Sequence, residues 1–105
     1  MKEITVEELK TKRDNSESFI LLDVREAHEY YISDIAGTTR IPYDDLKSRY
    51  EELNPDDEII TLCRTGNSAS DAVEFLESKG FENASVLKGG INEWAKKIDP
   101  SLAQY

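Results

Sequence analysis

The chain has 105 residues, 22 of them Asp or Glu and 13 Lys or Arg, for a formal net charge of -9. That length accommodates one domain, residues 1–105, and is too short for two. The acidic balance argues against nucleic acid as a partner, since phosphates need a positive footprint, and against an anionic membrane surface. No stretch approaches the roughly 18 apolar residues needed to cross a bilayer, and the start of the chain lacks the apolar core of a signal peptide. The single cysteine, Cys63, rules out an internal disulfide and fits a reducing cytosol, so a cytoplasmic location is expected.

The first element is a helix over residues 5–13, with Thr5 as N-cap, Glu8 completing a capping box, and Val6 and Leu9 facing inward. A polar loop leads to a continuous apolar run at 19–24, the pattern of a strand covered on both faces, as in a parallel sheet. One or two helical turns are expected over 26–31 and a short extended piece at 40–42, where Pro42 restricts Ile41. Tyr43, Leu46, Tyr50 and Leu53 are spaced for an amphipathic helix. A second buried strand covers 58–62, a helix 68–78 with Ala69, Ala72, Val73 and Leu76 inside, and a third strand 84–87. Gly80 is placed to cap the helix before that strand. Gly89 and Gly90 break the strand, and a last helix over 91–98 carries Trp94 into the core. Residues 101–105 are expected to be only loosely held. Strands alternating with helices predict an α/β domain with a mainly parallel sheet of about five strands and helices on both faces.

In such sheets ligands bind at the carboxyl ends of the strands. Cys63 directly follows a buried strand there, and the next residues, Arg64, Thr65, Gly66, Asn67 and Ser68, are small, polar and flexible. Such a run fills a core poorly but surrounds an anion well. Its backbone N–H groups and the start of the following helix form a cradle, which favours a thiolate nucleophile at Cys63. Thr65, Ser68 and Ser70 offer hydroxyl donors, and Gly66 permits a tight curl. Asp23 and Arg25 end the first buried strand near the same edge. Their expected role is a buried ion pair, with Arg25 lending positive potential to the pocket as the alternative. His28 belongs to the surface. One cysteine and one histidine argue against a metal centre, and no cofactor is expected.

These residues, taken in order, resemble a rhodanese-like (sulfurtransferase) domain. Leu22-Asp23-Val24-Arg25-Glu26, Ile35-Ala36-Gly37 and Ile41-Pro42 look like its first half. Ile60 through Ala69, with Cys63 to Ser68 at its centre, looks like its active-site strand and loop, and Gly89-Gly90-Ile91-Asn92-Glu93-Trp94 looks like its closing Gly-Gly-x-x-x-Trp signature. The C-terminal half is also similar to the rhodanese domains of E1-like adenylating enzymes. The resemblance implies a thiosulfate sulfurtransferase-type enzyme. Cys63 would take sulfane sulfur from thiosulfate or a protein persulfide, hold it as a persulfide, and pass it to a thiophilic acceptor such as cyanide or a protein thiol. By the same resemblance, residues 64–68 would bind the sulfur substrate, and the partners would be small sulfur donors or acceptors and a sulfur-relay protein. Ser68 stands where many members carry arginine, which makes a protein persulfide a candidate donor beside thiosulfate. The loop is one residue shorter than in the related cell-cycle phosphatases and does not end in arginine, which disfavours phosphatase or arsenate-reductase chemistry. A rhodanese-fold docking module is the reading from another class.

Overall fold

The three apolar runs form the centre of a five-stranded parallel sheet in a computed structural model that describes residues 2–105. The strands are β1 (Lys2–Ile4), β2 (Ile20–Asp23), β3 (Thr39–Arg40), β4 (Ile59–Leu62) and β5 (Ala84–Leu87), and they lie in the order β1-β5-β4-β2-β3. The helices are α1 (Val6–Asp14), α2 (Leu46–Arg49), α3 (Asn67–Ser78) and α4 (Gly90–Lys97). Every neighbouring pair of strands is parallel, with Leu22 opposite Thr61 and Thr61 opposite Val86.

Alternation along β2 and β4 sends side chains to two separate cores, one on each face of the sheet. Leu22, Val24, Ile59 and Cys63 join Ala69, Ala72, Val73 and Leu76 of α3. Leu21, Ile60 and Leu62 join Val6 and Leu9 of α1 and Ile91 and Trp94 of α4. Both faces are therefore apolar, which is why these strands read as unbroken apolar runs. Helix α1 starts as its sequence demands: the Thr5 hydroxyl accepts from the Glu8 N–H, and the Glu8 carboxylate accepts from the Thr5 N–H, both at 3.1 Å.

Three expectations change. Strand β1 was not visible in the sequence, because Lys2 and Glu3 are exposed and only Ile4 is buried; pairing with β5 makes the segment a strand. The amphipathic helix expected from Tyr43 to Leu53 is instead one short α-helical turn, α2, between 3-10 segments at Tyr43–Asp45 and Tyr50–Glu52. Of its expected inner stripe only Leu46 is buried, while Tyr43, Tyr50 and Leu53 pack at the margin of the core. The final residues are not loose: the Tyr105 N–H donates to Asn92 Oδ1 at 3.0 Å, and its backbone oxygen accepts from Asn92 Nδ2 at 2.8 Å.

Candidate active site

Strand β4 delivers Cys63 to the carboxyl edge of the sheet, where the residue is 5% exposed. The chain then curls through Gly66, whose φ of +119° no other residue type adopts without strain, and enters α3. A helix start leaves backbone N–H groups without intrahelical partners, and Gly66, as N-cap, has no side chain to accept them. The Cys63 sulfur serves instead. Sγ accepts from the Gly66 N–H at 3.0 Å and from the Ala69 N–H at 3.4 Å. Both donors point to where negative charge sits when the sulfur, or a sulfur carried on it, is anionic.

The loop is buttressed from the other side by α4. The Ile91 N–H donates to the Cys63 carbonyl at 2.9 Å, and the Asn92 N–H donates to the Arg64 carbonyl at 3.2 Å. Gly90 makes that approach possible, since a Cβ there would stand 2.4 Å from the Cys63 carbonyl oxygen. The sequence showed Gly89 and Gly90 as strand breakers and as part of the signature. The contact they permit depends on β4 and β5 being neighbours in the sheet.

A cavity of about 300 Å³ opens over the thiol. Buried Val24, Arg25 and Cys63 form its floor, and exposed Arg64, Thr65, Asn67 and Ser68 form one rim. Glu26, Glu29, Pro42, Tyr43 and Asp44 line the remainder. Residues 64–68 thus surround Cys63, but in different ways. Gly66 contributes its N–H, while the Arg64 guanidinium turns toward the backbone oxygen and ring of Tyr105. Ser70, expected to donate toward the site, bonds back to the Gly66 carbonyl at 2.8 Å within its own helix. Ala69, expected only as a core residue, supplies the second N–H to sulfur.

Asp23 and Arg25 form a buried pair, with Nη2 2.7 Å from Oδ2 and Nε 3.0 Å from Oδ1. Arg25 Nη1 also donates to the Ser33 carbonyl at 2.7 Å and to the Tyr105 hydroxyl at 3.0 Å. Burial works against the Arg25 charge, but the bonds to Asp23 and Tyr105 outweigh it and hold the guanidinium above its ordinary pKa. The Tyr105 hydroxyl donates in turn to Glu29 Oε1 at 2.9 Å. Burial raises its pKa, Arg25 opposes the shift, and Glu29 reinforces it. His28 lies out on the surface, its side chain 71% exposed.

Comparison with known proteins places the chain in a family. A family model described as the rhodanese-like domain matches residues 5–97. The chain is 35% identical to the adenylyltransferase and sulfurtransferase MOCS3-2 of Zea mays over 109 residues, covering 97% of this chain but 23% of that protein. It is 35% identical to the candidate sulfur carrier protein YrkF of Bacillus subtilis over 97 residues, covering 92% of this chain and 52% of YrkF. The chain therefore spans only part of the length of these relatives. Among solved structures, a rhodanese-related protein from Thermoplasma volcanium superposes with a TM-score of 0.85 at 30% identity, covering 93% of this chain and 94% of that one.

Proposed function

The chain belongs to the rhodanese-like domain family, and from that premise we propose that it is a sulfurtransferase that carries sulfane sulfur as a persulfide on Cys63. The donor is thiosulfate or a protein persulfide, and the acceptor is a thiophile such as cyanide or a protein thiol. The observation that carries this reading is the Cys63 sulfur on the floor of a cavity, with two backbone N–H groups directed at it. In the first half-reaction the Cys63 thiolate attacks the outer sulfur of the donor, the donor's S–S bond breaks, and its remainder leaves with the electron pair as sulfite or thiolate. In the second, the acceptor attacks the outer sulfur of the Cys63 persulfide, and the thiolate is restored. The exchange is redox-neutral overall and needs no cofactor.

The relatives include sulfurtransferases and a candidate sulfur carrier, which supports a sulfur-relay protein as partner. No helix among the described residues is long and apolar enough to cross a membrane, and a cytosolic site of action fits a lone reduced thiol. Residues 1–105 act as one domain in this reading. The test is intact-protein mass spectrometry after exposure to thiosulfate or to a peptide carrying a cysteine persulfide. A gain of one sulfur, removed by cyanide or a thiol and missing from Cys63→Ala, is expected. Absence of any cysteine adduct with both donors would overturn the reading.

A further inference from the structure

The charges around Cys63 are unevenly committed. Of the two arginines that line the cavity, Arg25 spends its donors on Asp23, the Glu29 and Ser33 carbonyls and the Tyr105 hydroxyl. Arg64 is held on the Tyr105 backbone oxygen, with its guanidinium 5.3 Å from the centroid of the Tyr105 ring. The Arg25 charge is countered by the Asp23 carboxylate, and Arg64 is engaged with Tyr105. Thr65, Asn67 and Ser68 are neutral. The same cavity is lined by three acidic residues, Glu26, Glu29 and Asp44. Glu26 and Asp44 are exposed, and Asp44 makes no ion pair among the described residues. Among the described residues the ion-pair partner of Glu26 is His28, 3.4 Å away, which is cationic only when protonated. Glu29 is tied into the fold, accepting from the Glu26 N–H at 2.9 Å and from the Tyr105 hydroxyl.

With Arg25 paired to Asp23, the three acidic residues outnumber Arg64 in the lining of the thiol cavity, on a chain whose net charge is already -9. A dianion such as thiosulfate must cross that field to reach Cys63, whereas a cation is drawn in by it. Resting on the sulfurtransferase reading, we propose that Glu26 and Asp44 select the sulfur donor by charge. The physiological donor is a protein cysteine persulfide flanked by lysine or arginine, and thiosulfate is a poor substrate. In the transfer the Cys63 thiolate attacks the outer sulfur of the partner's persulfide, R–S–SH. The bond between the partner's two sulfurs breaks, R–S⁻ leaves with the electron pair, and Cys63–S–SH remains. No oxidant or reductant is consumed.

The test compares single-turnover persulfidation of Cys63 by three donors: thiosulfate, a cysteine-persulfide peptide flanked by lysines, and one of equal length flanked by glutamates. The wild-type chain is expected to react with the lysine peptide about tenfold or more faster than with the glutamate peptide at low salt, the ratio falling toward one at high salt. The double variant Glu26→Gln/Asp44→Asn changes two exposed side chains and keeps the fold, which far-UV circular dichroism verifies. In it the peptide ratio is expected to shrink severalfold and the thiosulfate rate to rise. Equal rates with the two peptides in the wild type, or a ratio unmoved in the variant, would overturn charge selection while leaving sulfur transfer intact. Failure of all three donors to modify Cys63 would overturn the sulfurtransferase reading, and the proposal with it.

Discussion

Gly66 and Gly90 bracket the cysteine loop from opposite sides, and they are constrained for different reasons. At Gly66 the space is open, the nearest atom to an added Cβ being 4.0 Å away, but φ is +119°. At Gly90 φ is +62°, and a Cβ would stand 2.4 Å from the Cys63 carbonyl oxygen and 2.5 Å from that of Arg64. Gly66→Ala should therefore cost backbone strain alone, about 1–3 kcal/mol. Gly90→Ala adds a steric conflict with backbone that has nowhere to move, because those carbonyls are hydrogen-bonded to α4. Urea denaturation of both variants should show the larger loss for Gly90→Ala. Persulfide formation should fall in both, since each displaces the loop that directs N–H groups at Cys63.

Among the elements, α1 was the most legible, because its start is written in adjacent residues. Thr5 and Glu8 satisfy each other's backbone N–H, and Val6 and Leu9 are buried. Thr5→Ala should cost about 1 kcal/mol, seen as a lower urea midpoint with an unchanged slope. Sulfur transfer should be unaffected, since α1 packs on the face of the sheet away from Cys63. The segment after Pro42 was legible only as an apolar period. Its spacing places side chains correctly near the core, but the chain follows a 3-10, α and 3-10 path there. Periodicity does not separate a continuous helix from a succession of tighter turns with nearly the same repeat.

At the scale of the whole molecule, Asp23 and Arg25 are a hub. Arg25 joins the end of β2 to the Ser33 carbonyl and, across 80 residues of sequence, to Tyr105. Both side chains of the ion pair are at most 1% exposed. Asp23→Ala removes the nearer of the two carboxylates beside the buried Arg25 guanidinium and leaves Asp34 Oδ1 3.8 Å away, a change that should cost about 3–5 kcal/mol. Chemical denaturation should register that loss. Tyr105→Phe should cost less, about 1.5–3 kcal/mol, since it removes hydrogen bonds to charged groups but no charge.

The α/β alternation, the doubly covered strands and the cysteine loop are legible in the amino-acid order alone. Each of these is encoded by neighbours: an apolar run, a capping pair, a glycine after a strand. The location of Cys63 at a sheet edge and the polar loop around it were readable for that reason. Assembly of the sheet is what makes Lys2–Ile4 a strand, brings Tyr105 to Arg25 and Arg64, and sets α4 against the Cys63 carbonyl. It also brings Glu26, Glu29 and Asp44 into the lining of the thiol's cavity. These features rest on partners far apart in the chain, and which partners meet is set by the strand order β1-β5-β4-β2-β3. A hydrogen bond or a local field needs two groups within a few ångströms, and that proximity arises only when the sheet assembles.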